Sequence, residues 1–478
     1  MLPKVCNSLS TIPQGKERPV YPEKHIDLLG LVDLLMKHLT PALCQNVFRQ
    51  FRNTERERKW TFQAVAQFWT AMMIYHPPAI RSGLDQTRKG RGKDKLWPRV
   101  LASPQSFFQK CARLSPDFFK ALYDAFTNRT LPQAPILYVS WMKLLQKKFP
   151  EILIVDGSKL DAICRRLKFL RGEGAAILPG CLTVFYDLFR GITRQVWFYP
   201  NAAEPELPRA QKALSFITPG SLIIGDRLYA CLQYFHALAA RKLHGLFRVH
   251  GKLKIKRLGL LSRRQGGRML WEEFLVEVGC GRHQSKMRLR LIRFRGQGYR
   301  LDLLTDILEP QKLSAQEAVQ LYGLRWSIER VFFDLKEVLN LHCLYASHPC
   351  LVAQQIYAAA IVHTAFRIAQ ASIAAKAKVL PEQISPAKLF PKLARAASDY
   401  CVLHWSRIET RDLNPNVEIT FPDFRRYPSS YTNLRSILVQ RRNSKRRKRK
   451  FSVSERKRWK SFVHVHGGRS FLKSITVH

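Results

Sequence analysis

The chain is poor in acid. Of its 478 residues 35 are Asp or Glu, against 80 Lys or Arg, which leaves a net charge of +45. A globular core does not need that imbalance. A nucleic acid is the leading partner that explains it, because each neutralised phosphate releases condensed counterions; an anionic membrane surface comes second. Other absences narrow the field. The ten cysteines (Cys6, Cys44, Cys111, Cys164, Cys181, Cys231, Cys280, Cys343, Cys350 and Cys401) contain no CxxC pair, which excludes zinc-ribbon spacing. Scattered through apolar segments, they read as reduced, buried thiols of a cytosolic protein. No HExxH or comparable spacing occurs among the fourteen histidines, so none is assigned to metal. The first twenty residues have no apolar h-region, so no secretory signal is read. The longest apolar run, 357–375, is interrupted by His363, Arg367 and Gln370, as in a core helix rather than a membrane span. There is no internal repeat, and a composition 46% hydrophobic excludes a chain disordered throughout.

What is present divides into three regions. Residues 1–145 carry helix-spaced apolar residues at 25–51, 60–75 and 103–126, with Ser-Pro opening two short helices and a basic, polar loop at 83–99. This reads as a helical N-terminal DNA-binding domain, or as a helical cap with a solvated loop. Residues 146–400 form an α/β domain. EILIVDGS (151–158), CLTVFYDLF (181–189), ITRQVWFYP (192–200) and SLIIGDRLY (221–229) give three consecutive strands and a fourth flanked by helices, the order in which an RNase H-like mixed sheet opens. Within this domain, residues of about 245–305 alternate as a basic, β-rich insertion. Ser314 with Glu317 then makes a capping box. Residues 401–478 form a basic C-terminal region, with twelve Lys/Arg and one acid in 439–460.

Two strand ends carry the first chemical signal. The apolar runs ILIVD and SLIIGD both stop at an aspartate, Asp156 and Asp226. Open α/β sheets bind ligands at the carboxyl ends of their strands. A carboxylate there is costly unless it meets a cation or hydrogen bonds; capping the following turn is the bland alternative. The second signal is YGLRWSIERVFFDLK, 322–336. At about 100° per residue, with Tyr322 at zero, Arg325 falls near 300°, Glu329 near 340° and Lys336 near 320°, a stripe roughly 60° wide. Leu324, Ile328, Val331, Phe332 and Leu335 form the opposite, buried face. Three carboxylates without a His/Cys cluster point to hard oxygen coordination of Mg²⁺ or Mn²⁺, and two such ions can clamp an in-line phosphoryl transfer with Asp156 bridging them. Asp161, Asp187, Asp302, Asp306 and Glu173 are the competing acids, and pairing between strands would bring Asp187 near Asp156.

Asp156, Asp226 and Glu329 resemble the DDE triad of bacterial insertion-sequence transposases. Tyr322, Arg325, Glu329 and Lys336 match the Y-(2)-R-(3)-E-(6)-K signature of one group of them at every position. GDRLY resembles that group's second-aspartate segment, with Leu228 where a small residue is common. The resemblance spans roughly 150–345. It implies an RNase H-like core with a β-rich insertion, two Mg²⁺ ions (Mn²⁺ substituting) on Asp156, Asp226 and Glu329, and cut-and-paste transposition by cleavage and strand transfer. It further implies contacts from Tyr322, Arg325, Lys336 and Arg227 to double-stranded DNA at terminal inverted repeats, Trp271 as a candidate for stacking on a flipped base, and a homodimer on paired ends. A bacterial, cytoplasmic, nucleoid-associated location follows, with no membrane. Two alternatives stay open: a catalytically inactive DNA-binding protein on the same scaffold, and an RNase H-like metal-dependent nuclease.

Overall fold

The run Ile152–Val155 is fully buried on both sides. Such a run demands covering layers above and below a sheet. A computed structural model describes residues 25–28, 30–88, 96–136, 142–160, 180–251, 253–267, 269–279, 285–296, 299–341, 343–379, 381–408 and 431–437. Their strands, in chain order, are β1 (His25–Asp27), β2 (Ile152–Lys159), β3 (Cys181–Asp187), β4 (Ile192–Tyr199), β5 (Leu222–Gly225), β6 (His244–Arg248), β7 (Ile255–Gly266), β8 (Met269–Val278), β9 (Met287–Gly296), β10 (Tyr299–Thr305) and β11 (Tyr431–Asn433). Nine of them make one mixed sheet in the order β4-β3-β2-β5-β6-β10-β9-β8-β7. β2, β5 and β6 run parallel, and the other pairings are antiparallel.

Alternation sorts each strand between two cores. Ile152 and Ile154 of β2, with Leu222 and Ile224 of β5, belong to the larger cluster. Leu153, Val155 and Ile223 belong to the smaller one, under helices Glu206–Ala213 and Leu232–Ala240. The larger cluster continues without a break into Phe62–Tyr75, Pro104–Arg113, Pro116–Thr130 and Pro349–Ala377. The helices of the first 145 residues therefore share their core with the sheet. Pro349–Ala377 runs through that layer with its buried glutamines hydrogen-bonded. Gln354 accepts from Trp69 Nε1 (2.9 Å) and donates to the Cys111 carbonyl (2.7 Å), and Gln370 donates to the Ile384 carbonyl (2.9 Å). The helix is long and apolar enough to cross a membrane by composition, but 83% of its most apolar stretch is buried inside the protein.

Three sequence expectations change. Residues 83–88 are not loop: Ile80–Arg88 is a helix, because Ile80, Leu84 and Thr87 recur at helical spacing and bury one face. The rest of that basic stretch up to 95 lies outside the described residues. Residues 25–27 are not the start of a helix but a short strand paired with β11, a contact across four hundred residues that no local pattern announces. The β-rich stretch joins the main sheet, because β10 pairs with β6. Finally, 322–336 is not one continuous α-helix. It passes through α-helix Ala315–Gly323, a 3₁₀ turn Leu324–Trp326, α-helix Ser327–Phe333 and a π segment Asp334–Val338. Among the described residues no disulfide bond is formed, and Cys44, Cys111 and Cys181 are buried. The basic run 439–460 lies outside the described residues.

Candidate active site

β2 and β5 run side by side with Ile152 opposite Leu222 and Ile154 opposite Ile224. Continued by two residues, that register brings Asp156 level with Asp226 at the carboxyl edge of neighbouring parallel strands. Strands in a sheet stand about 4.8 Å apart, so the two carboxylates share one edge. The backbone holds each of them. Asp156 Oδ1 accepts from Gly157 N (2.9 Å) and Asp226 Oδ1 accepts from Leu228 N (2.7 Å). Burial pushes the Asp156 carboxyl up to about 7; the nearby Glu206 and, more weakly, Asp226 add to the rise, while the Gly157 N–H and Arg325 oppose it.

The face of β2 that carries Asp156 and Ser158 meets the 322–336 stretch. Ile328, Val331 and Leu335 anchor that stretch in the core. Arg325 is 8% exposed; its Nη1 lies 3.7 Å from Asp156 Oδ2, its guanidinium covers the Trp326 ring at 4.3 Å, and its Nε has no hydrogen-bond partner. Lys336 Nζ donates to Ser158 Oγ at 2.9 Å, two residues beyond Asp156. Tyr322 is buried, which raises its hydroxyl pKa, with Arg325 and Arg248 opposing. Glu329 is exposed; partial burial of its carboxyl raises the pKa and Arg325 opposes. The 3₁₀ turn overwinds and the π segment underwinds this stretch, so constant 100° steps do not describe it, yet Arg325 and Lys336 still reach the same strand.

The structure thus gathers Asp156, Asp226, Tyr322, Arg325 and Lys336 at one edge, with Glu329 on the same stretch facing solvent. Arg227 is exposed beside Asp226. Trp271 sits four strands from β5, half-buried with its ring centroid 4.4 Å from Phe294. Asp187 does not approach Asp156. It pairs with Leu153, while Asp156 pairs with Val184, and it caps the turn through Phe189 N (2.8 Å) and Arg190. Asp302 is held by Arg293 and Arg300, and Asp306 by His244. Asp161 and Glu173 lie outside the described residues.

One acid at this edge carries no sequence motif. Glu206, on the first turn of Glu206–Ala213, lies against the opposite face of β2 and accepts from the Tyr229 hydroxyl. A Cβ on Gly157 would stand 2.5 Å from its carboxyl carbon. The glycine itself was the signal: a strand residue with no side chain, beside an aspartate, leaves room for another group. Gly225 is equally constrained, since its Cβ would meet the buried Tyr229 ring at 2.6 Å and Val155 at 3.1 Å. Gly225→Ala should therefore cost about 1–3 kcal/mol by overpacking, read as a lower melting temperature; an unchanged melt would refute that packing.

Residues 199–365 match a family model described as the transposase DDE domain. This match supports a DDE transposase. The matched stretch includes Glu206, Asp226, Tyr322, Arg325, Glu329 and Lys336; Asp156 precedes it. No curated protein matches the chain. The cryo-EM structure of piggyBac transposase synaptic complex with hairpin DNA aligns over 83% of this chain and 84% of that one, with 11% identity and a TM-score of 0.36.

The acids at this edge offer carboxylate oxygen, the donor chemistry of hard divalent ions such as Mg²⁺ or Mn²⁺. Among the described residues no three acid, His or Cys side chains stand close enough to hold one ion between them. A hydrated ion needs fewer, since Mg²⁺ keeps several waters and takes one or two carboxylates. Asp156 and Asp226 meet that requirement.

Proposed function

We propose that the protein is a metal-dependent DNA transposase that cleaves at the ends of a mobile element and joins them to target DNA. The observation that carries this reading is the pair of in-register aspartates at the edge of parallel strands, faced by Arg325 and Lys336 from a stretch inside the transposase-domain match. The strand order β4-β3-β2-β5-β6 supports an RNase H-like core extended by the β-rich hairpins.

Asp156 and Asp226 would hold the divalent ions, and Glu329 would complete their coordination from the helix. Bound ions would supply Lewis-acid stabilisation of the attacking and leaving oxygens. The side chains contribute positioning. Arg325, buried and fixed by Trp326, offers an unpartnered Nε to a phosphate oxygen at the scissile bond. Lys336, held at Ser158, lies beside the same strand end. Tyr322 is buried within reach of the Arg325 charge, and Arg227 is exposed next to Asp226, where flanking phosphates would pass. Trp271 is retained as a base-stacking candidate only in a DNA-bound form in which its ring is freed from Phe294. The spacing of Tyr322, Arg325, Glu329 and Lys336 supports reading it as a bacterial insertion-sequence enzyme that acts by cut-and-paste. Its partners would be terminal inverted repeats and target DNA, its active form a homodimer, and its location the nucleoid.

Purified protein with Mg²⁺ should cut DNA carrying the inverted repeats that flank its gene and join the freed 3′ ends to a second duplex. Failure to cut such ends under any divalent ion would reject the reading. Lys336→Ala should weaken end binding across sequences and reduce the slope of log affinity against log salt by about one. An unchanged slope would remove Lys336 from the phosphate contacts.

A further inference from the structure

The helix Pro41–Phe51 buries Leu43, Cys44, Val47 and Phe48 and turns Gln45, Asn46, Arg49 and Gln50 to solvent. At about 100° per residue the four polar ones span roughly 140° of arc. The ordinary explanation is a solvated face. For a helix that meets only water, glutamate and lysine favour the helix and pair four residues apart. This helix has neither. Asn46 favours a helix weakly, and the first turn carries no acid although the helix dipole favours one. Among the described residues the side chains of Gln45, Asn46, Arg49 and Gln50 make no hydrogen bond or ion pair.

The surrounding charge points to a polyanion. Arg52, Arg56, Arg58 and Lys59 follow the helix and are exposed. The two acids among them are engaged: Glu57 pairs with Lys110 Nζ at 3.0 Å, and Glu55 accepts from Asn53 N at 2.8 Å. Arginine, asparagine and glutamine are the side chains that read base edges in the major groove, arginine on guanine and the amides on adenine. A helix about 10–12 Å across enters a groove about 12 Å wide. The inner face fixes where this helix stands. Thr40 Oγ1 caps it by accepting from Leu43 N (3.2 Å), and Phe48 stacks on Phe62 and Phe118 with ring centroids 6.3 and 5.7 Å apart. Val47 and Phe48 belong to the same core as Ile152 and Ile154 of β2. A base read by this helix would therefore sit at a fixed offset from Asp156 and Asp226.

We propose that Pro41–Phe51 is the base-reading helix of the protein. It lies in the major groove of duplex DNA, with Arg49 on a guanine and with Gln45, Asn46 and Gln50 on neighbouring base edges, adenine first among them. Arg52, Arg56, Arg58 and Lys59 hold the flanking phosphates. The inference rests on the reading above, that the protein acts on the ends of a DNA element, and it names the helix that selects those ends.

The test is selection from a pool of randomised duplex DNA by the full-length protein at physiological salt, followed by binding titrations on the enriched duplex. Wild type should enrich a motif that contains a guanine. Arg49→Ala should lose the preference at that guanine and bind the enriched duplex about 10–100-fold more weakly. Its melting temperature should match wild type, because no described residue bonds to the Arg49 side chain. Asn46→Ala should relax a different position. Arg58→Ala, outside the reading face, should weaken all sequences alike and lower the salt slope by about one. An unchanged motif in both Arg49→Ala and Asn46→Ala overturns the inference, as does a loss shared equally by all sequences or a wild type that enriches no motif. If Arg49→Ala leaves the motif intact but lowers the oligomeric state in gel filtration, the face joins two copies of the chain and the inference falls. If wild type cuts the flanking inverted repeats while the motif ignores both substitutions, the proposed function stands without it. If the substitutions shift the motif and no DNA is cut under any divalent ion, the helix reads bases and the transposase reading falls.

Discussion

Asp226→Ala is expected to abolish metal-dependent cleavage of the element's ends, by about 10³-fold or more, while leaving end binding within a few-fold of wild type. The expectation separates two jobs at one edge. Asp226, held by the Leu228 N–H, would contribute charge where an ion sits, and a carboxylate adds no attraction for phosphate. On the proposed reading, phosphate binding would fall to Arg325, Lys336 and other basic side chains. Asp156→Ala should behave alike, and Glu329→Ala should too if the exposed glutamate swings in to coordinate. A gel assay of cut ends beside a binding titration reads both quantities. Full cleavage by Asp226→Ala would remove the strand-edge site from the chemistry altogether. Retained cleavage by Glu329→Ala alone would take the triad's third place from it.

The second large effect is on stability, and its sign follows from the Asp156 environment. Burial and Glu206 raise its carboxyl in the folded state to about 7, above the ordinary value near 3.8. A group raised in this way favours folding fully only below its unfolded pKa, and that contribution is lost as pH rises through the folded value. Above pH 7 the native protein holds an ionised carboxylate in a place that disfavours it. Asp156→Asn removes the charge and keeps the shape. The variant should therefore be more stable than wild type in metal-free buffer, by up to about 4 kcal/mol at pH 8.5 and about half that at pH 5.5. Melting curves across that range measure the gap, and a gap that shrinks as pH rises would contradict the assignment. Saturating Mn²⁺ should reverse the order, because only wild type keeps both aspartates and an ion stabilises the state that binds it.

The parts of this site differ in how plainly the chain announces them. Asp156 and Asp226 are legible because each ends an apolar run, and a buried strand that stops at an acid leaves that acid at an edge. Tyr322, Arg325, Glu329 and Lys336 are legible as a set by spacing. Their geometry is not, since whether a turn tightens to 3₁₀ or loosens to π depends on packing against β2 and the core rather than on local propensity. The three-layer α/β arrangement follows from fully apolar strands at 152–155 and 222–225, which need cover on both faces. What stays hidden is long-range: the pairing of residues 25–27 with 431–433, the joining of β10 to β6, and the approach of Glu206 to Gly157. Each depends on a partner distant in sequence, and the two acids of NAAEPELPR, Glu204 and Glu206, have no periodicity to mark either.

The unbroken core between the first 145 residues and the sheet limits how such a protein could be re-engineered. A fragment beginning near residue 146 would present Ile152, Ile154, Leu222 and Ile224 to water and should aggregate rather than act as a minimal nuclease. By the same logic, grafting the leading helices of another enzyme onto this sheet cannot redirect it to new ends by simple exchange. The incoming helices would first have to reproduce the buried surface that Trp69, Phe107 and Phe119 provide, so on the proposed reading recognition and catalysis would change together or not at all.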